Sequence, residues 1–255
     1  MNNYGVRLLM PFSSRWFYGD ALFIIDPVVW LLAGAAVVFT WGRTRLAVAG
    51  WLLLLMATTA IVVIPKITPP EAKMLWCVGA GLLVFLRVRE KSPPARATAM
   101  ICLPLLAVYI GSMLWGSRHA RNQTSEWLRA RGMHADAVVA MPLPARPHKR
   151  EVIALVNNSY HYFETSAFGD QVPRPTHAPL HRGQRDTPAV QAALTAPHVQ
   201  GFLKWVRLPA FAERKTRAGY EVTLLDARYA QSPATRLGRN AVDLDDKLRV
   251  IPPGP

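Results

Sequence analysis

Apolar residues gather in four runs before residue 117, and in short alternating stretches after it. The first run follows Asp26-Pro27 and carries Trp30, Leu31, Leu32, Val37, Val38 and Phe39 to Trp41. Asp is a good helix N-cap and Pro a good first helical residue, so a helix is expected to start there. It is short for a membrane span, so either Ala21 to Ile25 dip into the interface or the helix sits in thinned bilayer, the expected segment being 21–41. The second run, 46–65, is a full span without a charge. The third, 70–88, has an uncharged centre from Met74 to Leu86. Pro70 and Glu71 can open its helix while Lys73 and Arg87 snorkel to opposite surfaces, and a re-entrant segment is the alternative. The fourth, 98–116, is long enough to span, with a kink expected at Pro104. Trp115 fits an interfacial aromatic belt.

The pattern changes beyond residue 116. Ser117 to Arg131 predicts a polar helix ended by Gly132. Ala137 to Met141 predicts a strand, followed by a corner at Pro142, Pro144 and Pro147. Glu151 to Val156 and Ser159 to Thr165 predict a hairpin over Asn157-Asn158, because Asn tolerates the left-handed backbone of such turns. Residues 172 to 188, rich in Pro, Arg and His, predict an exposed loop. Thr187-Pro188 caps a short helix, and 199–206 continues helical with Phe202 and Trp205 on one side. Phe211 to Lys215 and Tyr220 to Leu225 predict a second hairpin around Gly219, and Ile251 to Pro255 a loose tail. The expected fold is an α-helical membrane bundle of about four transmembrane helices followed by a small α/β extramembrane domain. Residues 1–20 form an interfacial segment, 21–116 the spans, and 117–255 the α+β domain.

Charge supports that division. Residues 1 to 116 carry ten Lys/Arg and four Asp/Glu, whereas 117 to 255 carry twenty and twelve, with all seven His. The net charge of +14 is scattered through loops without an aromatic-interleaved stripe or recognition helix, so the expected partners are membrane lipids and not nucleic acid. Protein partners are not readable. Cys77 and Cys102 both lie in apolar runs and build neither a disulfide framework nor a zinc site. The loop charges do not settle orientation, but four spans put the N-terminal segment and the extramembrane domain on one side.

The opening then carries a resemblance. Asn3-Tyr4-Gly5, Arg7-Leu8-Leu9-Met10-Pro11-Phe12-Ser13, Trp16, Asp20 and Phe23-Ile24-Ile25-Asp26-Pro27 resemble the middle of the bacterial membrane-bound, predicted metal-dependent hydrolases described as LexA-regulated inner-membrane hydrolases. Trp205-Val206-Arg207-Leu208-Pro209-Ala210-Phe211 and Asp226-Ala227-Arg228-Tyr229 are similar to the C-terminal signatures of long family members. The resemblance implies a multi-pass protein of the cell inner membrane and a divalent metal cofactor. It also implies that the family's His and Asp ligands would precede Asn3, so this chain is expected to be a shortened member, or one with a late-placed start, in which those ligands are not found.

Two carboxylates at the membrane boundary are costly unless partnered or functional. Asp26 reads as an N-cap, and Asp20 equally as a solvated or a functional carboxylate. With Asn3, Ser13 and Arg15 they are the candidate rim of a substrate site; no catalytic residue is assigned. His161 alternates with Tyr160 and Tyr162 on a strand, and His177 and His181 lie in a Pro-broken segment, so none reads as a metal ligand. Trp205, Arg207, Phe211, Asp226, Arg228 and Tyr229 read as a structural motif of aromatic anchors and an Arg/Asp pair. No GxSxG, P-loop, GxGxxG or HExxH occurs. Two functions follow: a membrane-bound metal-dependent hydrolase acting on a phosphoester or lipid-like substrate, or a non-catalytic membrane-anchored binding or structural protein.

Overall fold

The computed structural model of the chain describes residues 5–40, 44–66, 68–89, 94–231 and 237–252. Four helices come first: α1 (Pro27–Thr40), α2 (Arg45–Val63), α3 (Pro70–Val88) and α4 (Ala95–Arg129). Pro27 and Pro70 occupy first helical positions, where a missing N–H costs nothing. Thr44 caps α2 by accepting the Ala47 N–H at 3.2 Å. Backbone groups in each of these helices pair within the helix, as hydrocarbon would require of any that cross it.

Among the described residues, two helices are long and apolar enough to cross a membrane, α2 and α4, against the four expected. The apolar window of α2 is only 6% buried and that of α4 17%. A core helix of a soluble domain would be mostly covered, so these surfaces suit lipid. At 14 residues α1 reaches about 21 Å, short of the ~30 Å hydrocarbon core. In α3 the length is sufficient but Glu71, Lys73 and Arg87 lie within it. The 35 residues of α4 make about 52 Å, so its apolar run and the polar stretch expected as a separate helix are one continuous rod.

Then come β1 (Ala135–Leu143), β2 (Arg146–Val156), β3 (Ser159–Ser166) and β4 (Arg174–His181), one sheet in that order. The β2–β3 turn is made by Asn157 and Asn158 at φ 46° and 60°, as the sequence predicts. The corner expected at Pro142, Pro144 and Pro147 is tighter than that reading: β1 and β2 run through Pro142 and Pro147, and Ala145 turns at φ 52°. β4 corrects the expected loop. As the edge strand it tolerates Pro175 and Pro179, whose missing N–H groups go with register shifts in the β3–β4 ladder. His177 and His181 therefore sit on a strand, and His177 packs edge-on against Tyr162.

Helices α5 (Pro188–Leu194) and α6 (Gln200–Trp205) precede an antiparallel sheet of β5 (Pro209–Thr216), β6 (Gly219–Asp226) and β7 (Arg239–Asp245). Thr187 caps α5 through its hydroxyl. Val222 and Leu224 on β6, with Val242 and Leu244 on β7, repeat every second residue and so share the face that buries Ala189, Val190 and Ala193 of α5.

By internal contact the chain forms two compact units. One comprises Met1–Gln123, Ala140–Glu151 and Thr165–Gln171; the other comprises Thr124–Val139, Val152–Glu164 and Val172–Pro255.

In the second unit Gly219 holds φ +137°, and a Cβ there would lie 2.1 Å from the Leu244 carbonyl oxygen. Gly219→Ala is therefore expected to destabilise the β5–β6–β7 sheet by at least about 1 kcal/mol, read as earlier loss of strand signal in a circular-dichroism melt. An unchanged melt would show that the hairpin relaxes freely.

Candidate functional site

The N-terminal segment folds back on itself before α1. Val6 and Phe17 pair as an antiparallel bridge, with N–H···O distances of 3.0 and 2.9 Å. The Arg7 guanidinium lies 4.7 Å over the Trp16 ring and that of Arg15 5.4 Å over Phe17. Ser13 uses its hydroxyl to accept the Arg15 N–H at 3.2 Å. Ser13 and Arg15 thus belong to this hairpin, with Arg15 exposed, and these contacts are local. Asn3 lies outside the described residues.

Asp20 and Asp26 are placed differently. Both are buried, at 5% and 8% exposure. Asp26 caps α1, its Oδ1 accepting the N–H groups of Val28 and Val29 at 3.0 and 3.2 Å. Its Oδ2 accepts the Tyr109 hydroxyl of α4 at 2.8 Å. Asp20 adopts φ +51°, and its backbone oxygen accepts the Ser117 hydroxyl at 2.5 Å.

Ser117 leads to the centre of the cluster, Arg150 on β2, which is wholly buried. A guanidinium has five N–H donors, and here each can be assigned. Nε donates to Ser117 Oγ at 2.9 Å. Nη1 donates to the Pro147 and Lys149 carbonyls at 2.9 and 2.8 Å. Nη2 donates to the Met113 carbonyl at 3.1 Å and its Sδ at 3.4 Å. Tyr109, Met113 and Ser117 stand four apart, on one face of α4. Burial pushes the Arg150 guanidinium down to about 10, opposed by the nearby Tyr109 and Asp26. Even at that value it stays charged at neutral pH.

Sequence reasoning misses Tyr109, Met113, Ser117 and Arg150. Only a faint signal existed: Ser and Tyr at helical spacing in an apolar run. Arg150 lies between Lys149 and Glu151, a setting with no mark of burial in the sequence.

The C-terminal motif is also assembled, within the second unit. Asp226 and Arg228 have fully buried side chains and pair through Nε at 3.0 Å to each carboxylate oxygen and Nη2 at 2.7 Å. The backbone N–H of Arg207 donates to Asp226 Oδ2 at 3.0 Å. The Arg228 guanidinium covers Trp205 and Tyr229, which stack at 5.5 Å. Phe211 joins the core under α5 instead. The Arg of the Trp205–Phe211 stretch enters by its backbone, so the buried ion pair belongs to Arg228.

Among the described residues no three His, Cys, Asp or Glu gather as a metal site. Both oxygens of Asp26 are already engaged, and a guanidinium charge lies close to it. This donor set does not fit a divalent ion, which takes six or more oxygens, several of them anionic.

The fold is a helical N-terminal region, with two helices long and apolar enough to cross a membrane among the described residues, followed by a region of antiparallel β-sheet. The model of the YdjM inner membrane protein family matches residues 1–68, covering the N-terminal segment, α1 and α2. That match supports a bacterial inner-membrane family. No curated protein and no solved structure matches the chain.

Two measurements test the cluster. Arg150→Met leaves several buried acceptors without donors, so a loss of about 3 kcal/mol or more is expected, with Arg150→Lys milder, in thermal unfolding of the detergent-solubilised protein. Equal melting of all three proteins would mean Arg150 is not needed to hold the cluster. For Asp26, Ala should cost about 1 kcal/mol or more through the lost cap and the stranded Tyr109 hydroxyl, whereas Asn, also a good cap, should cost less; the reverse order would remove the capping role.

Proposed function

We propose that this chain is a multi-pass inner-membrane protein akin to the membrane-bound metal-dependent hydrolases, whose described residues supply a polar brace at the membrane boundary and not the metal donors. The observation that carries this reading is the full engagement of Asp26, capping a helix with one oxygen and holding Tyr109 with the other. The family match over 1–68 supports the membrane and the inner-membrane location. The hydrolase part rests on the resemblance of the Asn3 to Pro27 and Trp205 to Tyr229 motifs, with a phosphoester or lipid-like substrate as its chemical class. Its metal donors would come from outside the described residues.

A second reading, a non-catalytic membrane-anchored binding or structural protein, is favoured by the same engagement: a carboxylate so held is a fastening. Hydrolysis of a detergent-dispersed phospholipid, with and without EDTA, separates the two. Turnover that EDTA abolishes supports the hydrolase, while a folded protein with no turnover above the protein-free control supports the anchor.

Four crossings remain part of the proposal. In α3, Glu71 and Lys73 lie in the first turn and Arg87 in the last, where long side chains can snorkel, and α1 is preceded by Ala21–Ile25. Lys66, between α2 and α3, tests whether α1 crosses as α2 does. With Cys77 and Cys102 replaced by Ala, a Cys introduced at Lys66 is expected to label with a membrane-impermeant maleimide from the same side as one at Ser13. Labelling from opposite sides would mean that α1 does not cross.

A further inference from the structure

Helix α4 carries no charge from Ala97 to Ser117, between Arg96 and Arg118. Ile101, Pro104, Val108, Gly111 and Trp115, spaced three and four apart, make one exposed apolar stripe along it. The next two positions of the same stripe are Arg118 and Asn122, both exposed. This face therefore passes from apolar to polar within one turn, just beyond Trp115.

A second segment meets the stripe at that turn. Residues 165–171 belong to the same compact unit as α4 up to Gln123. Trp115 stacks with Phe168 at 5.8 Å and 17°, and with His119 at 5.2 Å and 13°. The Gly169 carbonyl lies 3.1 Å from His119 Nε2 and accepts the Gln123 amide at 3.3 Å. Thr165 donates its hydroxyl to Gln123 Oε1 at 2.6 Å. Successive turns of α4 thus hold the loop at Trp115, His119 and Gln123, four residues apart. The one large apolar side chain of this loop, Phe168, is 37% exposed beside Trp115 at 54%.

We propose that Trp115 and Phe168 form a two-segment anchor that seats the loop 165–171 in the headgroup boundary of a phospholipid bilayer. The inference rests on the reading of α4 as a crossing and deepens it. For a crossing α4, the stripe fixes Trp115 at the edge of the hydrocarbon, and stacking fixes Phe168 at the same depth. An aromatic pair suits that boundary, with an apolar body toward the acyl chains and polar neighbours toward water. Val108 and Gly111 supply the apolar side, and Arg118, His119 and Gln123 the polar one. A protein partner on this pair would have to straddle both environments, whereas the bilayer boundary offers the two together.

The test places a nitroxide at Phe168→Cys, in a full chain with Cys77→Ala and Cys102→Ala, reconstituted into phosphatidylcholine vesicles. Labels at Val108→Cys and Asn122→Cys report the two ends of the same stripe. The ratio of collisions with lipid-soluble oxygen to those with a water-soluble nickel chelate is expected to be at least about threefold higher at Phe168 than at Asn122, and highest at Val108. A ratio at Phe168 equal to that at Asn122 overturns the anchor. Shielding of the Phe168 label from both reagents would put protein, a second copy included, over the pair and overturns it as well. A Val108 label as open to the nickel chelate as the Asn122 label would instead remove the membrane reading itself. Should Phe168→Cys fail to fold, the unsubstituted chain is photolabelled in vesicles of phosphatidylcholine bearing a diazirine on the acyl chain next to the headgroup. Adducts on both Trp115 and Phe168 are then expected, and their absence from Phe168 overturns the proposal.

Discussion

A buried positive charge that must be satisfied at every donor constrains this protein most. Taking a guanidinium out of water costs several kcal/mol unless its surroundings replace the lost hydration. Arg150 is wholly buried, and its five N–H groups meet two carbonyls of its own strand, a helix carbonyl, a thioether and a serine hydroxyl. Those acceptors come from two elements, so α4 and the start of β2 must arrive together. Ser117, once it accepts from Arg150, still has its proton to give, and gives it to the backbone of Asp20. The strained φ of +51° at Asp20 is held where that bond forms.

The same demand accounts for the length of α4. Met113 and Ser117 are four residues apart, astride the point where the apolar run ends and the polar stretch begins. A break in the helix at Gly116 would turn their shared face apart. The local contacts also use the small side chain there: a Cβ on Gly116 would lie 3.0 Å from Ala167. Helix continuity, small residue and buried arginine thus express one requirement, that strand backbone approach the helix closely where its apolar run ends.

How legible this was depended on the range of the interaction. The cores of α1 to α4 were readable because a run without charge is written in adjacent residues, and Asp26-Pro27 because a cap acts within three residues. The Asn157-Asn158 turn was readable for the same reason. Strand β4 was not, since Pro and His speak for a loop and only the free edge of a sheet makes them tolerable. The buried cluster was least legible. Tyr109 reaches Asp26 across 83 positions and Ser117 reaches Asp20 across 97, so no local window contains both partners. Counting spans fell between these cases: composition names apolar stretches, but whether 14 residues or a helix bearing three charges crosses a bilayer depends on neighbours and lipid.

The carboxylates can be weighed on the same footing. A divalent ion near Asp26 would share low-dielectric space with the Arg150 charge, where like charges repel far more strongly than in water. It would also have to take oxygen from two backbone N–H groups and a tyrosine hydroxyl, each of which would then be buried without a partner. The guanidinium already supplies the positive charge that a buried carboxylate needs, and it does so with directional bonds to the chain around it. A cation fixed covalently in this place makes the N-terminal segment a fastening between α1 and α4, and a bound metal there would compete with that fastening.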